Sequence, residues 1–438
     1  MRTTSENFWL DAPYEANPSI DGEHEADVAI IGGGFTGMAS AYFIKERFPR
    51  KRVILLEGDF IGYGSSGRNS GIVTTLLGHN ILPIKKAQGT ETTALLHRLS
   101  LQSIALLEEL IAEHQIDCDY ERNGLLMLAE TERQVKLLDK KVRAYEDIDG
   151  RVNWLDKNKV RSHFGAAKAM AGIYIDDDRA LNPGKLARGM KKAAESLGVE
   201  VYEHSRCTHV ERGPAISLYV PGGRVRARDI VVATNAYNNP LRLFRHKVLP
   251  FYVYNIVTDP LTDSQMEAFE WPDRENVYSS NYLFWAMRPT ADNRLLFIDN
   301  DALYFYNVDR DYSYRPREYR SHYKMMTKMF PFLKGIKIAY QWGGRIGMTL
   351  DFLPSVGCTG KHRNIYYSMG YNGHGVAFSH LAGKMIAELM AGEDSTLTNH
   401  MLINKSIWGV PSASIMYLAT NGYKLFYKGR DYFSIIGK

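Results

Sequence analysis

The chain has 438 residues, 45% apolar and 24% charged, enough to bury a large core and more than one compact domain, which excludes disordered, collagenous and mini-protein classes. Lys plus Arg number 54 against 49 for Asp plus Glu, and the excess is spread along the chain rather than packed into the basic blocks of a nucleic-acid binder. Three cysteines, Cys118, Cys207 and Cys358, form no CxxC pair and predict reduced thiols in an intracellular setting.

The first eleven residues mix Arg2, Glu6 and Asp11 with polar side chains and have no apolar signal-peptide core, so a cytoplasmic protein is expected. Residues 28–44 carry no charge, but three glycines interrupt them and they fall short of the ~20 apolar residues of a membrane span. They read instead as a buried strand at 26–31 and a helix from 35 to 48. A second apolar run at 53–56 closes on Glu57, which completes a strand-helix-strand unit. Apolar residues at three- and four-residue steps predict a long packing helix over 92–114 and a more charged one over 131–147. A helix over 183–197 then precedes a strand from Val199, and 229–234 is another buried strand. Residues 250–345 alternate apolar and polar residues between turns, as in an antiparallel sheet. A strand at 364–368, a glycine-rich turn and a helix over 376–390 follow. The tail 408–438 joins Ile415, Leu418, Leu425 and Phe426 to Lys424, Lys428 and Arg430. It predicts a surface helix packed on the fold, with weak membrane or partner contact as the other reading.

The chemistry lies after the first strand. Gly32, Gly34 and Gly37 make GxGxxG, and Glu57 stands 20 residues beyond Gly37 at the end of the next strand. Gly32 permits the tight turn, Gly34 lets backbone approach a pyrophosphate, and Gly37 lets the helix lie on the strand. The helix start at Phe35 and Thr36 offers N–H groups to phosphate, and Glu57 offers a carboxylate to ribose hydroxyls while repelling a 2′-phosphate. FAD or NAD is therefore expected, not NADP. No HExxH, GxSxG or GxxxxGK[ST] occurs, and His204 and His209 are poorly spaced as ligands, so neither a metal site nor acyl transfer is expected.

Three further segments, IGYGSSGRNSG at 61–71, IVVATNAY at 230–237 and GYNGHG at 370–375, resemble in order and spacing the flavin-contacting segments of the D-amino-acid-oxidase-like FAD oxidoreductases. With NFWLDAP at 7–13, DDDRALNPGKLARGM at 176–190 and WGGRIGMTLDFLP at 342–354, the chain is most similar to the γ-glutamylputrescine oxidase and glycine/sarcosine oxidase branch, to about Met390. The resemblance implies an α/β fold: a Rossmann-type, glutathione-reductase-like FAD-binding domain with an inserted antiparallel, β-rich α+β substrate domain. The expected division is 1–85, 155–238 and 340–400 for the first, 86–154 and 239–339 for the second, and 401–438 as tail. It also implies that Gly32, Gly34, Phe35, Thr36, Gly37, Glu57, Ser66, Gly67, Arg68, Asn69, Cys207, Ala233, Thr234, Gly373, His374, Gly375 and Val376 hold FAD, the last group through N–H donors at the flavin pyrimidine edge.

Departures from that branch matter. Gly344 stands near the position of the tethering cysteine of sarcosine oxidases, so FAD is expected to be non-covalent. Ala377 replaces a carboxylate-binding lysine and Leu296 an oxygen-activating one, which leaves O2 or another acceptor open. His374, Arg288 and Arg345 are the catalytic candidates, with Lys337 a rival anion binder. Tyr278, Tyr282, Phe284 and Trp285 are candidate pocket walls or strand packing. The expected function is oxidation of a C–N bond of an amine or amino acid. The alternatives are oxidation of a 2-hydroxy acid or other carbon acid on the same fold, and a non-catalytic flavin-bound scaffold or sensor.

Overall fold

The computed structural model describes residues 6–75, 80–237, 241, 243–244, 246–281, 283–299, 302–305 and 310–436. Strand Gly22–Ile31 lies at the centre of an eight-stranded sheet. On one side it pairs in parallel with Val53–Leu56, which pairs in turn with Glu200–Tyr202. On the other it pairs in parallel with Gly223–Val232, followed by Ile365–Met369 and an antiparallel edge strand, Ser355–Thr359. Strand order thus diverges from Gly22–Ile31 in both directions, and Ile31 is in register with Leu56 and Val232. A crevice opens beyond those carboxyl ends, the usual ligand position in open α/β sheets. The central strands read as unbroken apolar runs because both faces are covered: Val28, Ala29 and Ile30 are fully buried.

Helix Phe35–Arg47 follows at once and is buried from Phe35 to Ile44. It packs against Pro183–Ser196 and Phe378–Ala391. Contact with the latter is intimate, since a Cβ on Gly383 would come within 2.6 Å of the Ala39 backbone. The predicted helix over 92–114 extends back to Ile81, kinked at Gly89, and it also packs on Phe378–Ala391.

The second sheet has nine strands and is antiparallel except where Asn276–Ser279 meets Leu125–Ala129. It runs from Leu303–Tyr304 through Leu249–Thr258, Leu295–Asp299, Trp285–Pro289, Asn276–Ser279, Leu125–Ala129 and Ala171–Ile175 to Asn153–Asp156, with Ile338–Met348 on Leu249–Thr258. Ala171–Ile175 and Ile338–Met348 both pair in this sheet, while the long helix Ile81–Glu113 packs on Phe378–Ala391 beside the first sheet. An amphipathic stripe shows that a segment has a buried face but not which core receives it.

The tail forms helix Ala413–Ile436. Among the described residues, no helix is long and apolar enough to cross a membrane.

Candidate functional site

At the carboxyl ends of the first sheet, a cavity is lined by Gly32, Gly34, Phe35, Thr36, Glu57, Ser66, Asn69, Cys207, Ala233, Thr234, Gly373, Gly375 and Val376 among others. Its floor needs glycine. A Cβ on Gly37 would lie 1.8 Å from the Gly32 carbonyl oxygen, and Gly32 itself has φ +110°. The Glu57 carboxylate is clasped by the Gly33 N–H at 2.6 Å and the Asp59 N–H at 2.9 Å. Burial pushes it above the usual carboxylate range, against the pull of those two donors. The Phe35 N–H donates to Ser66 Oγ at 2.9 Å, which ties the 61–71 segment to the helix start. Thr234 Oγ1 is buried without a partner and lines the same cavity. Glycine-limited backbone, a buried carboxylate and an orphaned hydroxyl together suit a dinucleotide: backbone room for diphosphate, an acceptor for ribose and a donor for a polar ring edge.

The 370–375 turn closes this cavity at its other end. Asn235, at φ +41°, accepts the Gly370 N–H at 3.0 Å, and the Asn372 N–H donates to the Gly347 carbonyl at 3.0 Å. The Thr36 hydroxyl meets the Tyr371 hydroxyl at 2.6 Å. The His374 N–H already donates to the Tyr371 carbonyl, so the N–H groups the turn can present to a bound ring are those of Gly373 and Gly375.

A second cavity adjoins the first, with Ser65, Asn69, Ile346 and Gly373 in the lining of both. Its walls come from the second sheet (Phe251, Val253, Asn255, Tyr278, Ala286, Ile298), from Arg68, Phe284, Arg345 and His374, and from Met416, Ala419, Thr420 and Lys424 of the C-terminal helix. None of its described lining residues is acidic. Arg345 donates to the Tyr252 hydroxyl at 2.5 Å and to the Arg310 carbonyl at 3.0 Å, which fixes its guanidinium. Burial pulls His374 below the usual imidazole range, which favours the neutral ring, and its Nδ1 lies 3.1 Å from the Asn372 carbonyl oxygen.

Other candidates lie elsewhere. Gly37, Gly67, Arg68 and His374 do not line the first cavity. Gly37, in the first turn of its helix, packs against the Gly32 carbonyl and Gly67, in a 3-10 turn, against the Gly62 carbonyl, and the other two line the second. Arg288 lines neither cavity. Its Nη1 donates to the Gly71 carbonyl at 2.8 Å and the Leu181 carbonyl at 3.1 Å, and its guanidinium stacks 5.3 Å from Trp9, so it anchors strand Trp285–Pro289 to the backbone flanking the short strand pair Ile72–Val73 and Arg179–Ala180. Lys337 is exposed and Trp285 is core, while Tyr278 and Phe284 stack at 5.0 Å as cavity wall. Tyr282 lies outside the described residues. Cys207 lines the Glu57 end of the first cavity, and burial pushes its thiol up to about 12. Gly344 lines the second cavity, where a Cβ would meet Arg68 at 2.9 Å. Leu296 is buried among Trp9, Val257 and Trp342. Apart from these cavities, ligand atoms of His163, Asp273 and Glu275 lie within 4.8 Å of one another, a cluster its sequence spacing does not reveal.

Tyr63, Asn235, Tyr237 and Tyr371 of the first cavity fall within the three segments singled out by the sequence without being named there as contacts, whereas the four C-terminal helix residues of the second cavity carry no such signal. The helix itself was legible, but nothing in its pattern said where it would dock.

Compared with known proteins, residues 27–389 match the model of the family described as FAD dependent oxidoreductase. The chain is 32% identical over 386 residues to the gamma-glutamylputrescine oxidoreductase of Escherichia coli (strain K12), covering 87% of each chain. It is 32% identical over 393 residues to a probable oxidoreductase OrdL of Haemophilus influenzae, covering 88% of this chain and 87% of that one. The crystal structure of glycine oxidase from Geobacillus kaustophilus superposes with a TM-score of 0.71 at 23% identity, over 86% of this chain and 99% of that one, and so has the same fold. The C-terminal helix lies outside the family match.

Proposed function

The chain belongs to the family of FAD-dependent oxidoreductases, and from that premise we propose that it oxidises a C–N bond of an amine or amino acid to an imine, with O2 or another acceptor taking the electrons onward. The relatives named for amine and amino-acid oxidation support this substrate class. The observation that carries the reading is the adjacency of the two cavities, which share Ser65, Asn69, Ile346 and Gly373 as lining. It would place a substrate directly against the redox end of a dinucleotide held by Gly32, Gly34 and Glu57.

When bound, FAD supplies a two-electron acceptor for the carbon beside the amine nitrogen, and water hydrolyses the resulting imine. The chain's own residues set which amine reacts. A cavity walled by Arg68, Arg345 and Lys424 and lacking acidic residues among its described lining disfavours an ammonium and selects the neutral amine, whose lone pair can assist C–H cleavage. Arg345, held by Tyr252 and Arg310, is placed to pair with a substrate carboxylate. His374 contributes a neutral wall, and the Gly373 and Gly375 N–H groups stabilise negative charge arising at the cofactor's edge. Cys207 sits at the opposite, Glu57 end of the first cavity and Cys358 donates to the Arg363 carbonyl on an edge strand, which supports non-covalent FAD. In this reading the first sheet with its helices forms the FAD-binding unit, and the second forms the substrate unit.

The test is anaerobic titration of the FAD-loaded chain with a panel of amines, amino acids and 2-hydroxy acids. Bleaching by amines or amino acids alone is the expected result. Bleaching by hydroxy acids alone, or by nothing, overturns the assignment.

A further inference from the structure

Beyond the second cavity lies a third, which shares Tyr278, Phe284, Phe352 and His374 with it. Its far wall is helix Glu132–Glu146, and on that helix's buried face, beside Leu138 and Tyr145, sits a lysine. Lys141 is 9% exposed. Its Nζ has a single hydrogen-bond partner among the described residues, the thioether of Met127 at 3.1 Å, and no carboxylate among them lies within ion-pair reach. Burial alone pulls the amine down to about 8. A second polar group in the same lining, the Ser280 hydroxyl, is buried with no hydrogen-bond partner among the described residues. The one acidic residue of the cavity's described lining, Asp351, is engaged by Lys405.

An unpaired ammonium in an apolar wall is costly, and a methionine or leucine of similar reach would pack there without that penalty. A lysine and an orphaned hydroxyl facing one compartment are what a carboxylate needs: a cation and a neutral donor. The compartment is close to the reacting end, because Met127 is in register with Tyr278 on the adjoining strand, one strand spacing of roughly 5 Å away.

We propose that Lys141 and Ser280 form a subsite for the carboxylate of the substrate, so that the amine oxidised is an aminocarboxylate whose acid group lies several bonds from the reacting C–N bond. The second and third cavities then act as one elongated compartment, bent at His374. This rests on the amine-oxidising reading and narrows it.

The test uses the FAD-loaded full chain and its Lys141→Met and Ser280→Ala variants, with pairs of equal length: 4-aminobutanoate against n-butylamine, and 6-aminohexanoate against n-hexylamine. The wild type should prefer the aminocarboxylate of a pair in kcat/KM. Lys141→Met should lower that preference about 10- to 100-fold, through KM rather than kcat, and Ser280→Ala should lower it by a smaller factor. Equal use of both members by the wild type, or an unchanged preference in Lys141→Met, overturns the subsite and leaves amine oxidation standing. Should no amine reduce the flavin, the functional reading fails by itself, and the subsite is then judged by thermal stabilisation with glutarate and adipate. Stabilisation of the wild type but not of Lys141→Met supports it; no stabilisation, or the same in both, overturns it. Ser280→Ala removes only an unpartnered hydroxyl, so it keeps the comparison readable if Lys141→Met does not fold.

Discussion

The two ends of the adjoining cavities are built differently. The Glu57 end is made of backbone: glycines that no side chain can replace, N–H groups at a helix start, and a single carboxylate held by the Gly33 and Asp59 N–H groups. The Lys424 end is made of side chains drawn from segments as far apart as Arg68, Tyr278, Arg345 and the C-terminal helix. Backbone at a strand-turn-helix junction has few solutions, so it fixes the ligand's diphosphate and ribose. Side chains on a sheet can change one at a time, so they are where substrate choice resides.

The largest effect is expected at the backbone end. Glu57→Arg replaces the acceptor between the Gly33 and Asp59 N–H groups with a like-charged donor, leaving both amides without their partner. The purified variant should carry no flavin by absorbance. Stoichiometric FAD in that variant would mean the carboxylate is not part of the ribose site, and the contrast between the two ends would lose its basis.

At the side-chain end the expected effect is large but graded. Arg345→Met keeps an unbranched stem but is shorter, and it removes the guanidinium and its charge from a cavity whose described lining has no acid to balance it. FAD content should be unchanged, while KM for an amino-acid substrate rises about 10- to 100-fold, as for loss of a charge-assisted bond. A fall in flavin content without a change in KM would transfer Arg345 to the cofactor side of the comparison.

These ends also differ in how much of them could be read in advance. The unit from Ala26 to Glu57 is legible almost to the residue because its determinants are local, namely β-branched runs, glycines at fixed spacing and an acid closing the next strand, while the charged start of the first strand, from Gly22, carries no such pattern. Arg288 shows the limit. An arginine in an aromatic-rich strand looks like a substrate contact, and its neighbour Ala286, two residues back on the same face, does line the second cavity. Beyond Ala286, however, the backbone of Gly71 and Leu181 arrives to take the guanidinium, a meeting set by tertiary packing that no local pattern encodes. Lys141 was invisible for the complementary reason. On a charged helix one more lysine reads as solvated surface, and only the packing of that helix over Leu125–Ala129 buries it.

A buried carboxyl outside the lining of all three cavities should also show as a pH dependence of stability. Asp178 is 1% exposed, accepts the Thr75 N–H at 2.8 Å and its hydroxyl at 2.9 Å, and is pushed up to about 7, mainly by burial. Unfolded, it titrates near the ordinary carboxylate value of about 3.9. Between these values the folded chain binds the extra proton, so stability falls as pH rises from about 4 to 7, by at most about 1.4 kcal/mol per pH unit from this group. Asp178→Asn keeps an acceptor for Thr75 and cannot ionise. Its melting temperature should therefore fall less than the wild type's between pH 5 and pH 8. Equal falls would show that Asp178 is not the group responsible.

The smallest effects separate two faces of one helix. Thr420 lies on the inner face of Ala413–Ile436, its hydroxyl donating to the Met416 carbonyl at 2.8 Å, and lines the second cavity. Leu418, two residues earlier, is 71% exposed. Thr420→Leu puts extra volume into the cavity roof and should change KM for a bulky amine several-fold while sparing a small one, since one or two methylenes in a pocket discriminate by about 1–3 kcal/mol at most. Leu418→Gln touches only the outer face, so it should leave KM alone and alter stability by no more than about 0.5 kcal/mol. If both variants shift KM equally, the helix acts on the site through its overall position rather than through the side chains it lowers into the cavity. The side-chain end would then be shaped by docking of a whole element, as the backbone end is by its turn.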